Sequence, residues 1–146
     1  MAITTNAIAN SFKKELLEAK HNFTQTSGDQ FKLALYTSSA TLGKSTTSFT
    51  TDHQVANTGQ YVSGGGKLAK GSQQTSVASS VAIVDFADRS FTGVTLTARG
   101  ALIYNTSNSN TAVAVLDFGG DKTATAGTFT IQFPAFTTSA AILRIS

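Results

Sequence analysis

Two histidines are the side chains best suited to act as general bases near neutral pH. His21 follows a segment with helical periodicity and is interpreted as a cation near the carbonyl end of that helix. His53 follows Asp52 in a polar stretch, which indicates a solvated loop. The chain has neither cysteine nor a Gly-x-Ser-x-Gly elbow, so no nucleophile accompanies either ring. The sequence therefore predicts no catalytic residues and no enzymatic activity.

Two glycine-containing segments have features of phosphate-binding loops. Residues 43–46 read Gly-Lys-Ser-Thr, but the motif requires a further glycine where this chain has Ser38, and a strand and a helix around it. The run Gly64 to Gly66 precedes no helix whose N-terminus could hold an anion. Both segments are interpreted as loops, and no cofactor is expected.

Two pairs of aspartates could supply oxygen ligands to a calcium ion. Asp85 with Asp88, and Asp117 with Asp121, lack the 1,3,5 spacing of calcium loops and flank turns, where aspartate is common. The absence of cysteine also removes thiolate zinc sites. No metal site is assigned.

Aromatic residues could stack on sugar rings if they were exposed. Most of the ten phenylalanines fall on inward faces of predicted strands, and tryptophan is absent. Tyr36, Tyr61 and Tyr104 remain available. A carbohydrate-binding module is therefore one alternative, and it requires exposed tyrosines that line a groove.

One short helix is predicted near the N-terminus. Asn6 can cap it, and Ile3 can act as its hydrophobic staple. Apolar residues then recur at helical spacing up to about Lys20: Ile8, Phe12, Leu16 and Ala19. The helix is amphipathic, so its apolar stripe should pack on the β domain of the same chain.

Strands are predicted wherever apolar residues alternate or form short runs. The predicted strands are 31–36, 81–86, 94–104 with a bend near Gly100, 112–116, 128–133 and 140–145. Residues 105–110 form a turn that joins two of them into a hairpin, and 118–127 is a predicted loop. The polar region 38–80 is predicted to form long loops around weak edge strands.

These elements define a mainly β fold: an antiparallel β-sandwich or barrel-like domain of about seven strands with one N-terminal amphipathic α-helix. The 146 residues form a single domain. Within it, 1–22 is an arm and helix, 38–80 contains the loops and edge strands, and 81–146 supplies the core strands.

Composition limits the partners that such a domain can have. The chain has 23 threonines and 16 serines, and only 13% of its residues are charged. Its net charge of +3 arises from seven lysines against four acids in residues 1–70, without the basic stripe of a duplex binder, so no direct nucleic-acid binding is expected. No apolar run reaches the ~20 residues of a membrane helix, and the N-terminus lacks a signal-peptide layout. Neither a membrane nor a leader is predicted.

Five stretches resemble a family of small virion structural proteins of tailed bacteriophages, especially the cyanophage type found in aquatic bacteria. They are residues 11–17, 29–42, 98–105, 112–122 and 129–134. The resemblance covers nearly the whole chain, and residues 43–80 diverge most. It implies a structural component of the particle without catalytic residues, and more specifically a capsid decoration, or cement, protein.

The resemblance also implies the partners and the location. The partners are the major capsid protein and other copies of the chain in a homotrimer, on the capsid surface of the virion after synthesis in the host cytoplasm. The expected docking elements are the segment from Met1 to Phe12 and the loops of 38–80, because polar segments without regular patterning can drape over a partner. The expected interface residues are Ile3, Ile8, Phe12, Leu16, Tyr36, Phe49 and Tyr61.

The principal alternative is a virion protein of the tail, neck or fibre, with a role in attachment or as an adaptor. Sequence does not separate the two locations. Copy number does, because a cement protein approaches the number of capsid subunits and a neck or tail protein occurs in small multiples of the tail symmetry.

Overall fold

The computed structural model describes residues 3–146 and, for residues 71–74, the backbone alone. The chain is mainly β, with 47% of its residues in strands and 6% in a helix. In chain order the elements are β1 (Ala7–Ile8), α1 (Asn10–Leu17), β2 (Phe31–Tyr36), β3 (Gly66–Lys67), β4 (Lys70–Ala78), β5 (Val81–Phe86), β6 (Arg89–Asn105), β7 (Thr111–Ile131) and β8 (Leu143–Ile145). They form two antiparallel sheets, so the predicted sandwich-like β class is confirmed.

The first sheet is built around the hairpin of β6 and β7. Its strand order is β1-β7-β6-β2-β3. Residues 100–105 and 112–115 are buried on both faces, which explains why these segments read as nearly continuous apolar runs. Asn105 pairs with Thr111 across the intervening turn, as the sequence predicted.

The β7 strand continues through a region that the sequence predicted to be a loop. Residues 118–127 belong to β7, and beyond a bulge Lys122 pairs with Ala98. Gly119, with a φ of +78°, lies in this bulge. The extended pairing forms a two-stranded ribbon with threonines on its exposed face, where Thr97 Oγ1 lies 2.9 Å from Thr123 Oγ1. Polar side chains on both strands gave this part of the sequence the composition of a loop.

Gly100, near which the sequence predicted a bend, lies at a register shift of β6. The shift occurs between Ala98 and Gly100 of β6. A Cβ atom at Gly100 would lie 2.4 Å from the carbonyl oxygen of Leu116 and 2.8 Å from Cδ1 of Ile3. Only glycine allows this close packing, and Ile3 is fully buried against the strand instead of acting as a helix staple.

The second sheet has the strand order β4-β5-β8 and is joined to the first by aromatic packing. Phe31 of the first sheet and Phe86 of the second have ring centroids 5.6 Å apart. Phe23 stacks on Phe31 at 4.6 Å, and Phe133 lies 5.8 Å from Phe86. These rings form a continuous core between the sheets.

The helix is shorter than the sequence predicted and begins later. Asn6 does not cap it: Oδ1 of Asn6 accepts a hydrogen bond from the backbone N–H of Asp117 at 2.6 Å. Residues 7 and 8 pair with β7 as the strand β1, so the helix starts at Asn10 after Ala9. Residues 7 and 8 could have formed the first helical turn, but they pair with the edge of the sheet instead.

The helix ends in a Schellman motif. The N–H of Lys20 donates to the carbonyl of Glu15 at 3.0 Å, and the N–H of Ala19 donates to the carbonyl of Leu16 at 3.1 Å. Ala19 has a φ of 58°, in the left-handed region that favours glycine. The helix consequently stops at Leu17 and not at Lys20.

Three buried tyrosines attach the long loops to the first sheet. Their relative exposures are 0% for Tyr36, 0% for Tyr61 and 3% for Tyr104. The hydrogen bonds are Tyr36 Oη to Thr50 O (2.6 Å), Leu35 N to Tyr61 Oη (2.7 Å) and Tyr104 Oη to Gly64 O (2.5 Å). Residues 38–65 are therefore loops, as predicted, but they are held at fixed points. Within the region predicted as loops and weak edges, β4 is a nine-residue edge strand.

Candidate docking groove

Four of the seven expected interface residues lie in the core of one chain. Ile3, Phe12, Tyr36 and Tyr61 are between 0% and 3% exposed, because they pack between the sheets and under the loops. The expected docking segment also includes Met1 and Ala2, which lie outside the described residues. These four side chains stabilise the monomer and offer a partner little accessible surface.

The remaining three expected residues are half-buried. Phe49 stacks on Tyr104 with ring centroids 4.7 Å apart, which fixes its loop to the sheet. Ile8 and Leu16 line a surface groove beside α1. Of the expected residues, these two and the largely buried Phe12 are brought together at this apolar surface.

The other residues considered from the sequence have local structural roles. His53 is exposed, with a φ of 59°, and its carbonyl accepts a hydrogen bond from the N–H of Thr37 at 3.0 Å. Asp117 forms an ion pair with Arg99 at 3.1 Å. Oδ1 of Asp88 accepts from the N–H of Phe133 at 2.8 Å. Among residues 3–146, no three His, Asp or Glu side chains lie close enough to hold a metal ion.

His21 lies inside a buried polar network. Its Nε2 is 3.0 Å from Oε2 of Glu15, and its Nδ1 is 3.0 Å from Nδ2 of Asn105. The same amide nitrogen donates to Oδ2 of Asp29 at 2.7 Å. The His21 side chain is fully buried, and its ring lies 4.7 Å from that of Phe12. A base in this position has no space for a substrate beside it.

The network also defines the partners of the two ring nitrogens of His21. Oδ1 of Asn105 accepts from the N–H of Ser107 at 2.9 Å, so the amide nitrogen faces the ring. Nδ1 of His21 faces this amide, and Nε2 faces the carboxylate of Glu15. His21 therefore joins the end of α1 to the turn after β6.

The three tyrosines do not form a sugar-binding surface. All three are buried, and each phenolic oxygen takes part in a hydrogen bond to a backbone group. The exposed tyrosine groove that a carbohydrate-binding module requires is not formed by them.

An apolar groove of about 520 Å³ lies between α1 and the second sheet. Its apolar lining comes from three separate parts of the chain: Ile8, Phe12, Leu16, Phe23, Val77, Ala82, Ile83, Val84, Leu143 and Ile145. Val77 is 72% exposed and Ile145 is 60% exposed, although both are large apolar residues. Leu17, next to the lining residue Leu16, is 92% exposed. Exposed apolar side chains grouped around a groove are typical of an interaction site.

Two cations lie on the wall of this groove. Lys13 and Arg144 line it, whereas no Asp or Glu is among its described lining residues. Arg144 donates to the carbonyl of Ser139 at 2.5 Å, and Lys13 is in no ion pair within the described part of the chain. The groove therefore combines an apolar floor with a positive potential, which suits an apolar segment flanked by carboxylates.

Sequence reasoning identified one wall of the groove and missed the other. The helical spacing gave Ile8 and Leu16. Val77 and Ile145 come from edge strands, and their only signal was a large apolar residue within a polar or terminal segment. The pairing of β5 with β8 brings them to one surface, and this pairing was not predicted.

Comparisons of the chain with protein families, with characterised proteins and with solved structures found no match. Among residues 3–146, no helix has the length and apolar character needed to cross a membrane.

Proposed function

We propose that this chain is a non-enzymatic structural protein of a phage virion, a capsid decoration protein that binds the outside of the icosahedral shell. The resemblance of its sequence to small virion proteins of tailed phages supports the class. The observation that carries the mode of action is the apolar groove beside α1, with Val77 and Ile145 exposed at its edges.

The proposed occupant of the groove is a segment of the major capsid protein. Apolar side chains of that segment enter the groove, and acidic side chains on its flanks pair with Lys13 and Arg144. The same groove on a second copy of this chain fits less well, because it carries the same two cations and no carboxylate among its described lining residues to pair with them.

Such a protein acts by burying surface across the joints between capsid subunits, and it thereby opposes the outward pressure of packaged DNA. A standard interface buries about 1,600 Å² in total. Multivalent placement on a lattice adds weak contacts together, so each protomer requires only modest affinity. The His21 network favours this role because it fixes the end of α1, which lines the groove, before binding.

Cryo-EM of an intact phage particle that contains this chain tests the proposal. Hundreds of copies on the shell, with the groove turned toward the capsid protein, are the expected result. A few copies at the portal, neck or tail would overturn the decoration role and support the tail, neck or fibre alternative. Absence of the chain from the particle would overturn a virion role altogether.

A further inference from the structure

A second, polar pocket lies where the chain passes from the first sheet to the second. It has a volume of about 480 Å³ and is bounded by the β3–β4 segment, the loop before β2 and the start of β6. Among the residues whose side chains the structure describes, it shares no lining residue with the docking groove. Its chemistry is therefore independent of the proposed function.

Three cations and one carboxylate line this pocket. The cations are Lys67, Lys70 and Arg89, and none of them is in an ion pair among the described residues. The carboxylate is Asp29, whose Oδ2 already accepts from the N–H of Asn22 at 2.9 Å and from Nδ2 of Asn105 at 2.7 Å. The pocket consequently has an excess of positive charge that the described chain does not neutralise.

Arg89 is held rigidly at the wall of the pocket. Its guanidinium carbon lies 4.8 Å from the ring centroid of Phe91, in a cation–π contact. Gly66 also lies close to the guanidinium, and a Cβ atom there would clash with Arg89 Nε. Nε is buried and has no hydrogen-bond acceptor among the described residues. A buried donor without an acceptor is costly, and an oxyanion that supplied an acceptor would offset this cost.

The two neighbouring lysines differ in how their side chains are held. Lys70 Nζ donates to the carbonyl of Thr24 at 2.6 Å, which draws the loop before β2 over the pocket. Its positive charge is not cancelled by this neutral acceptor. Lys67 is exposed and follows Gly66 directly. One fixed guanidinium and two ammonium groups thus surround one space.

We propose that this pocket binds an oxyanion, either a phosphate or a carboxylate group. The planar guanidinium of Arg89 matches two oxygens of such a group, and the lysines add charge without strict geometry. Thr26 and Gln30 also line the pocket, and their side chains are of types that can donate to further oxygens. The pocket is larger than one phosphate ion, so it accommodates the group together with the atoms that bear it.

The test is an NMR titration of the full chain that follows the Nε–H signal of Arg89 and the backbone amide of Lys67. Inorganic phosphate and acetate are added in separate experiments at constant ionic strength, with chloride as the reference. Both signals should shift saturably. Lys67→Gln should weaken binding at least about fivefold, because one charge-assisted contact is lost. Lys122→Gln is the matched control, because it removes an exposed positive charge on β7. It should leave the affinity for phosphate and for acetate unchanged.

Each result decides the proposal and the source of the ligand. Saturable shifts with phosphate alone support a phosphate ligand, and shifts with acetate alone support a carboxylate. Shifts no larger than those with chloride overturn the proposal, as does an equal loss of affinity in Lys67→Gln and Lys122→Gln. Lys67 is exposed, so its variant keeps the test decisive even if a change at Arg89 impairs folding.

Discussion

The side-chain amide of Asn105 bridges His21 and Asp29, at 3.0 Å from Nδ1 of the ring and 2.7 Å from Oδ2 of the carboxylate. Asn105 is fully buried and lies at the end of β6. A single amide therefore joins the end of α1, the loop before β2 and the central hairpin. Buried networks of this kind stabilise a fold only when every member has its partner.

Asn105→Asp should lower the free energy of unfolding by about 3 kcal/mol. The change is isosteric, but it places a second carboxylate against Asp29 and removes the donor to His21. Asn57→Asp is the control, since Asn57 is exposed and its Oδ1, which accepts from the N–H of Ser63 at 2.7 Å, is retained. Urea unfolding measures both. A similar small change in the two variants would show that the network does not stabilise the fold.

Ala19→Gly should raise the free energy of unfolding by about 1 kcal/mol. Ala19 has a φ of 58° at the end of α1, where glycine removes the steric cost of the Cβ atom. Ala56→Gly, at an exposed site without a positive φ, should instead be neutral or destabilising. Thermal unfolding compares them, and stabilisation of both or of neither would contradict the role of the Schellman motif.

Stability should fall as pH rises from about 10 to 12. Burial raises the pKa of Tyr61 to about 12, and it also raises the pKa values of Tyr36 and Tyr104. These phenols lose protons more readily in the unfolded chain, so their contribution is complete below pH 10 and is lost as pH rises through the folded pKa. Each phenol contributes a slope of at most about 1.4 kcal/mol per pH unit.

Urea unfolding at a series of pH values measures this loss, and absorbance at 295 nm follows tyrosine ionisation. Ionisation should coincide with unfolding. Tyrosinate formation near pH 10 in a chain that stays folded would contradict the burial of the three phenols. Tyr61→Phe should reduce the pH dependence, although it also lowers stability at neutral pH by leaving the N–H of Leu35 without its acceptor.

Phe12→Asp should impair folding much more than Lys44→Ala. Phe12 is 3% exposed and packs against His21 and Phe23, so a carboxylate there is buried without a partner and costs about 4 kcal/mol or more. Lys44 is exposed, and only its backbone carbonyl accepts a hydrogen bond, from the N–H of Asn10. Soluble yield and urea unfolding measure the difference. Equal, negligible effects of the two changes would contradict the placement of Phe12 in the core.

Val77→Asp should leave the fold intact and weaken binding to undecorated capsids at least about tenfold. Val77 is 72% exposed, so the change costs little stability. It places a negative charge in the apolar groove, where it repels the acidic flanks of the proposed capsid segment. Thr92→Asp, at an exposed position of the ribbon, is the matched control. Co-sedimentation with capsids gives the affinities. Equal binding of both variants and the unchanged chain would exclude the groove as the docking site.

The strands that carry apolar patterning were predictable from sequence. The predictions for 31–36 and 81–86 coincide with β2 and β5, and the hairpin around 105–110 is confirmed. In these segments burial of one or both faces determines both the residue types and the structure. In such segments the local sequence pattern is sufficient to predict the strand.

The ribbon and the helix boundaries could not be predicted in the same way. Lys122 to Gly127 are polar or small residues in a strand because β6 pairs with them, and this is a tertiary effect. Asn6 has the side chain of a helix cap but bonds to the N–H of Asp117, 111 positions away in the sequence. Pairings over such distances leave no trace in a local window.

The candidate groove was half predictable for a related reason. One wall follows from the spacing of Ile8 and Leu16. The other wall depends on the position of the second sheet across the groove from α1, and on β8, of which only Leu143 is buried. An exposed valine such as Val77 is unremarkable until its neighbours across the groove are known.

The pairing of β1 with β7 also sets the order of events during biosynthesis. Ala7 lies opposite Val115, and Ile8 opposite Ala114, so these N-terminal residues leave the ribosome long before the strand against which they settle. Native pairs so remote in sequence slow folding because a large loop must close first. Until then the residues of α1 have no sheet to cover their apolar stripe, and the nascent chain is vulnerable to aggregation and to chaperone capture.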